Sequence, residues 1–219
     1  MTATASVPAP TVAALAHSVA VFTGFANVDR AERQFATDTA PRADLGRLDH
    51  RAAILRFLNA WGCRIRLPRP GEPDLFDTGI AAWWAAYSPT LPRPSVDRLS
   101  DAAIRRLVAP FDALTAVRVA PKRTLGSTAA AKALYVLRPR SVVPWDAAIA
   151  TTLHGGRDGA AFARHLTLGR GWANALLAEL GSRGRSVTAA QAPALLGRRG
   201  VSLAKILDEY AYVTITMRR

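Results

Sequence analysis

Cysteine occurs once in the 219 residues, at Cys63. A single thiol excludes an intrachain disulfide framework and a cysteine-built zinc site. It fits a reducing compartment, and a cytoplasmic location is expected. Cys63 follows a helical pattern between bulky apolar residues and has no evident histidine partner, so it reads as a core thiol. Lysine is nearly as scarce: Lys122, Lys132 and Lys205 are the only three among 29 basic residues. The four histidines, His17, His50, His154 and His165, are scattered, so no metal site is expected. There is no P-loop, no dinucleotide-binding glycine set and no HExxH, so no cofactor is expected either. No apolar run approaches the ~18 residues of a membrane helix. The first residues lack the basic start and continuous apolar core of a signal peptide. No membrane is therefore expected as a partner, and no obligate protein partner is evident in the sequence.

Acidic residues are missing from one half of the chain. Residues 1–112 hold 13 basic and 11 acidic side chains, and residues 113–207 hold 14 basic and only 3 acidic. The net charge of +13 thus resides almost wholly in the second half. A preference for Arg over Lys reflects coding composition, but coding composition does not sort charge along a chain. A one-sided basic half is the footprint of a polyanion binder, with nucleic acid the usual case. A solvated arginine-rich face is the plainer alternative.

What is present reads as helix. Apolar content of 50% and five tryptophans mark a globular chain. Residues 1–10 are small and proline-bearing, a loose tail. Residues 11–219 form a single helical domain, and two lobes, if they form, meet near 88–120. Thr11 opens a first helix, and 27–48 read as loop plus a short helix. Ala53, Ile54, Phe57, Leu58 and Trp61 recur at helical spacing, with Asp49 as cap and Gly62 as stop. A helix over 78–87 carries Trp83 and Trp84. The proline-rich loop 88–94 is a candidate lid. Ser100 starts a helix that Pro110 ends or kinks. Residues 159–166 and 171–180 read as two helices, 181–186 as a basic glycine loop, and 188–196 as a short helix. Arg198-Arg199-Gly200 reads as a basic turn, and Ser202 caps a last helix that frays after Val213. No strand alternation and no internal repeat is visible. The expected fold class is all-α, a compact multi-helix domain.

The chemistry concentrates in residues 125–150. A Gly-Ser-Thr turn leads into an alanine-rich helix bearing Lys132 and Tyr135, and a proline-bounded link then delivers Asp146 beside Trp145. Asp146 is the only carboxylate between Asp112 and Asp158, amid Lys122, Arg123, Lys132, Arg138 and Arg140. Position alone makes it an ordinary helix N-cap, an acid that accepts backbone N–H bonds at the positive end of the helix dipole.

The same stretch resembles the helix-hairpin-helix DNA glycosylase superfamily. Leu125-Gly126-Ser127-Thr128 stands where the hairpin meets its second helix, and Val143-Pro144-Trp145-Asp146 where the family's aspartate opens the next helix. The family's usual hairpin has two glycines; here only Gly126 remains, and Lys122 and Arg123 stand in its place. The Schiff-base lysine of the bifunctional members falls at Ser127, so the resemblance is to monofunctional members. The stretch also resembles bacterial proteins of no assigned function in which a helix lysine recurs with a Trp/Tyr-Asp pair, which would put Lys132 and Asp146 in one pocket. The resemblance implies a helix-hairpin-helix glycosylase-like fold with DNA as partner. Its catalytic residues would be Asp146 and Lys132. The base pocket would draw on Trp145, Tyr135, Trp83, Trp84 and Trp61. Lys122, Arg123, Gly126, Ser127, Thr128, Arg138 and Arg140 would bind DNA. Such an enzyme flips a damaged or modified base from the duplex and cleaves its N-glycosidic bond, a carboxylate stabilising the oxocarbenium-like state. Two further classes stay open: a non-catalytic helix-hairpin-helix DNA-binding protein, and a basic helical protein for RNA or an acidic partner.

Overall fold

The structure, a computed structural model, describes residues 7–24, 27–181 and 186–218. Most of them are helical. No helix among the described residues is long and apolar enough to cross a membrane. Buried apolar side chains from Leu15 in the first helix to Ile215 near the C-terminus join one core.

Helix α1 (Val12–Phe22) starts where Thr11 Oγ1 accepts the Ala14 N–H at 3.2 Å. Helix α2 (Asn27–Asp38) has twelve residues, longer than the short helix expected. Its apolar residues are few: Phe35 is the one buried side chain among those described in it. Helix α3 (Leu48–Ala60) begins one residue before Asp49, which is therefore not its cap. Asp49 lies in the first turn and pairs with Arg47 at 2.7 Å. Helix α4 (Leu75–Tyr87) is capped by Asp74 and clamped to α3 by Arg51, which grips both oxygens of Asp77 at 2.6 and 3.0 Å. The proline loop after α4 is tied down, not lid-like: Ser141 Oγ donates to the Pro94 carbonyl at 2.6 Å.

Ser100 caps α5 (Asp101–Arg106), and α6 (Val108–Ala116) follows after Leu107. Pro110 sits in the first turn of α6, where no N–H is required for the helix ladder. That is why it separates two helices instead of breaking one. An antiparallel hairpin joins α6 to α7 (Gly126–Leu137): β1 (Arg118–Ala120) pairs with β2 (Arg123–Thr124). Strands of three and two residues cannot show alternation, so the sequence reading found none. Helices α6 and α7 pack against each other. Gly126 enters α7 at φ +77, a conformation that other residues rarely adopt.

Helix α8 (Ala147–His154) ends on Gly155 at φ 65, as its His-Gly-Gly signal implied. The two helices expected over 159–180 are one, α9 (Gly159–Gly181). Gly159 and Gly169 within it mark close packing rather than a break. A Cβ on Gly169 would lie 2.9 Å from Val143 Cγ2 on the link before Asp146. Gly169→Ala should therefore lower the melting temperature. Overpacking of about 1–3 kcal/mol opposes a helix-propensity gain of about 1 kcal/mol. An unchanged or higher midpoint in a thermal melt would show that the link yields. Of the expected basic glycine loop, residues 182–185 lie outside the described residues. Helix α10 (Ala192–Leu195) is a single turn.

Helix α11 (Leu203–Ala211), capped by Ser202, is buried along its whole length and continues as a π-helical turn, Tyr212–Thr216. It packs against α1 and α9. Because it has no solvent face, its charged residues must find partners inside the protein.

Candidate active site

Helices α1, α3, α7, α8 and α11 surround a cavity of about 330 Å³. Its walls are largely apolar, with Phe22, Trp61, Trp145 and Tyr212 among them. Four charged side chains also line it: Lys132, Asp146, Lys205 and Asp208.

Asp146 is both cap and cavity wall. Its Oδ1 accepts the Ile149 N–H at 2.8 Å, which closes the first turn of α8. Its Oδ2 accepts the Thr216 hydroxyl at 2.7 Å. The π-helical turn supplies that hydroxyl; its Met217 N–H reaches back to the Tyr212 carbonyl at 3.0 Å. The carboxylate is thereby fixed from two elements distant in sequence.

Lys132 projects from α7 to donate to the Trp61 carbonyl at 2.6 Å, and its ammonium stands 5.8 Å from the Trp61 ring. Arg123 donates to the next carbonyls but one and two, Cys63 O at 2.9 Å and Arg64 O at 2.8 Å. Asn59 brackets Ile65 through its N–H at 2.6 Å and its carbonyl at 2.9 Å. The segment after α3 is thus shaped by basic side chains from the hairpin and α7. Arg64 there takes φ 52, rare for a non-glycine residue. The Cys63 thiol, half-buried beside it, is pushed up by burial against the pull of Lys132 and Arg123.

Lys205 was not found by sequence reading. Only 1% exposed, it donates to Asp208 at 2.9 Å and lies 3.9 Å from Glu209. Its ammonium is 4.2 Å from the Phe22 ring centroid and 4.9 Å from that of Trp61. Burial raises the pKa of Asp208; Lys205 opposes this, and Asp146 adds to it. Glu209 is fully buried and held by Arg198 at 2.8 Å, which also grips Asp29. Arg198, read as part of a basic turn, is therefore a core ion-pair residue, while its neighbour Arg199 is exposed. Phe22, Tyr212, Thr216 and Asp208 were missed as well. The signal that could have found Lys205 is lysine's rarity: two of the chain's three lysines line this one cavity.

The aromatic candidates separate. Trp61 and Trp145 line the cavity. Trp145 is also a core residue, 1% exposed, with Nε1 donating to the Ser127 carbonyl at 3.3 Å. Tyr135 lies one layer behind: fully buried, it stacks on Trp61 at 5.5 Å and donates to Glu32 at 2.8 Å. Burial first, then Glu32, pushes its phenol well up. Trp83 and Trp84 do not line the cavity. Both are buried; Trp83 donates to the Pro110 carbonyl and Trp84 to Asp44, each at 2.8 Å. Each buried indole finds an acceptor for its N–H, a buried carbonyl for Trp83 and an exposed carboxylate for Trp84.

The basic candidates also separate. Lys122 is exposed at the hairpin turn, and Arg123 is tied to the backbone as described. Gly126, Ser127 and Thr128 are half-buried at the start of α7. Arg138 is half-buried; its Nη1 donates to its neighbour Leu137's carbonyl, and its Nε is buried without a partner among the described residues. Burial and then Arg42 and Arg93 lower its pKa, so three guanidinium groups gather there. Arg140 lines, with Arg93 and Arg98, a wider cleft of about 880 Å³ whose described walls include no aromatic residue.

Beneath Trp145, His154 Nε2 and His165 Nδ1 lie 3.0 Å apart, and His165 Nε2 faces the Pro144 carbonyl at 3.3 Å. Sequence spacing gave no sign of this pair. Among the described residues no cluster of three metal-ligating side chains forms. Burial first, then the neighbouring Arg164, holds His154 down at about 4. Burial first, then His154, holds His165 at about 3. Both are neutral in the folded protein at pH 7. The unfolded chain takes up protons near pH 6.5 and the folded chain does not, so stability falls as pH drops from about 6.5 toward 4. Urea midpoints at pH 7.5, 6.5 and 5.5 should decline more steeply for the wild type than for His165→Asn. Parallel declines would remove the pair as the cause.

Comparison with protein-family models, curated proteins and solved structures gave no match to this chain.

Proposed function

We propose that the chain is a DNA-binding base-excision enzyme resembling a monofunctional DNA glycosylase. In this reading an extruded base enters the cavity beside Trp61, and Asp146 stabilises the oxocarbenium-like sugar as the N-glycosidic bond breaks. The observation that carries it is the position of Asp146. It caps the helix that follows a helix, hairpin, helix and link, and its carboxylate lines an aromatic-walled cavity. Extrusion costs a few kcal/mol, and stacking on aromatic rings and phosphate contacts offset it. Lys122, Arg138 and Arg140 are the phosphate-contact candidates, with Arg42 and Arg93 beside Arg138. Lys132, tied to the Trp61 carbonyl, acts as a fixed positive charge and not as a nucleophile.

A second reading has its own observation. Both oxygens of Asp146 already accept hydrogen bonds within the protein, which suits a purely structural cap in a non-catalytic DNA-binding module. The test is base release from duplexes carrying a panel of damaged and modified bases, with abasic sites revealed as strand breaks by alkali. Release supports the enzyme. Salt-dependent DNA binding without release supports the module. DNA binding with no salt dependence, or none at all, overturns both and favours RNA or an acidic protein as the partner.

A further inference from the structure

We propose that Arg42, Arg93 and Arg138 together hold one phosphoryl group, in a site outside the Asp146 cavity. The proposal deepens the base-excision reading and rests on it only for taking that group to be a backbone phosphate of DNA.

Three observations carry it. The first is that Arg138 lacks a counter-ion. Among the described residues four arginines are not exposed: Arg51, Arg138, Arg170 and Arg198. Arg51 pairs with Asp77, Arg170 with Asp101, and Arg198 with Asp29 and Glu209. Arg138 pairs with no described carboxylate. Its Nη1 donates to the Leu137 carbonyl at 2.7 Å, and its buried Nε donates to no described residue. A guanidinium taken partly out of water without a carboxylate is costly, and an anion from outside removes that cost.

The second is that the charges gathered around Arg138 have its own sign. Arg42 comes from the link between α2 and α3 and Arg93 from the proline loop, and both are exposed. Burial and then these two guanidinium groups disfavour the charged form of Arg138, and no carboxylate acts in the opposite sense. A cation at the C-terminal end of α7 suits the helix dipole. That accounts for Arg138 but not for two more arginines brought to it from distant segments. Repulsion of this kind weakens a fold, a cost that binding sites carry.

The third is the engagement of the nearest acids. Arg42 and Arg93 line a cleft of about 540 Å³ with one carboxylate, Asp44. Asp44 pairs with neither; its Oδ1 accepts the Trp84 indole N–H at 2.8 Å and the Gly46 N–H at 2.9 Å. The wider cleft that shares Arg93 carries Glu32 and Asp97. Glu32 accepts from Tyr135, while Asp97 accepts from Ser95 and lies 3.8 Å from Arg98. Three guanidinium groups thus stand without an ion-paired acid, unlike the Asp146 cavity, where two carboxylates match two ammonium groups. A tetrahedral phosphoryl group offers oxygens to several planar forks at once, whereas one fork satisfies a carboxylate.

The test uses the full chain at pH 7.5 in low salt. Inorganic phosphate binding is followed by phosphorus NMR, and duplex DNA binding is measured against salt. Phosphate should bind saturably in roughly the millimolar range or below. Arg42→Gln and Arg93→Gln, both at exposed positions, should each weaken it about tenfold, the scale of one hydrogen bond to a charged group. Without phosphate both variants should melt no lower than wild type, because each relieves repulsion at Arg138. Phosphate should raise the wild-type midpoint more than theirs. The slope of log affinity for the duplex against log salt should fall by about one in either variant and by about one, not two, in the double variant, since one phosphate is shared. No saturable phosphate binding, unchanged phosphate affinity in both variants, a lower midpoint in both without phosphate, or a slope that falls in neither variant or by about two in the double would each overturn the proposal. Phosphate binding that the variants lose, with no DNA binding by the wild type, would overturn the DNA reading and leave the phosphoryl site standing.

Discussion

Arg198→Met is expected to destabilise the protein by about 3–5 kcal/mol, the range for removing one partner of a buried ion pair. Arg198 is 8% exposed. It meets both oxygens of Asp29, at 2.5 and 2.8 Å, and Glu209 Oε1 at 2.8 Å. Asp29 belongs to α2 and Glu209 to α11, so one guanidinium ties the second helix to the central one. Without it, the fully buried Glu209 keeps only Lys205, 3.9 Å away and already bonded to Asp208. Glu32 and Asp208 stand in the same neighbourhood, and burial raises the pKa of each. Methionine fills the space but cannot answer those charges. Arg199→Met, one residue on and exposed, is the control, expected within about 0.5 kcal/mol of wild type. Urea unfolding followed by tryptophan fluorescence checks both. The deficit at Arg198 should shrink in acid. Burial already raises the Glu209 pKa against the pull of Arg198, and without that arginine the carboxyl protonates more readily, which relieves the stranded charge. Equal midpoints for the two variants would mean that the ion-pair network contributes nothing net.

That network explains what could and could not be read from the chain. Local signals survived folding. Thr11, Ser100 and Ser202 each cap the helix expected of them, Asp146 caps α8, and Gly155 ends it, because a cap depends on residues within one turn. Signals that depend on distant partners did not survive. Arg198 beside Arg199 and Gly200 looks like a basic turn, and Asp29, 169 residues away, and the buried Glu209 make it a core residue. Lys205 sits one residue before Ile206 and Leu207 on a helix assumed to have a wet face, and α11 has none. Residues 159–166 and 171–180 read as two helices, yet they are one, and within it Gly169 leaves the space that Val143 fills. The hairpin, Arg118–Ala120 with Arg123–Thr124, is too short to show a period. At the site, Asp146, Lys132, Trp145 and Trp61 were legible, the first three because one stretch carries them all. Lys205, Asp208, Thr216, Phe22 and Tyr212 come from the two ends of the chain, and no spacing rule joins them to residue 146.

On the base-excision proposal, Asp146→Asn keeps the helix cap and removes the charge, and it should reduce base release by about 10²–10³-fold, the scale for removing one preorganised electrostatic group. Asparagine caps helices about as well as aspartate. Its side-chain oxygen can still accept the Ile149 N–H that Oδ1 accepts at 2.8 Å. Its amide nitrogen would face the Thr216 hydroxyl in place of Oδ2, with that hydroxyl able to turn and accept. The fold, and with it DNA binding, should therefore persist, while the charge that would oppose a developing oxocarbenium is gone. Asp146→Ala removes charge and cap together, and should in addition lower stability by about 1 kcal/mol. Thr216→Val tests the positioning of the carboxylate. It keeps the charge and removes only the 2.7 Å tether from the π-helical turn, so release should fall by about tenfold, the cost of one hydrogen bond to a charged group. The order Asp146→Ala ≈ Asp146→Asn < Thr216→Val < wild type in release rate, with only the alanine variant losing a helix cap, is what a catalytic carboxylate held in place by its cap geometry requires. If Asp146→Asn releases base at the wild-type rate while Asp146→Ala fails, the residue acts through the structure of α8 alone, and the chemistry must be sought in Lys132, Lys205 or Asp208 of the same cavity.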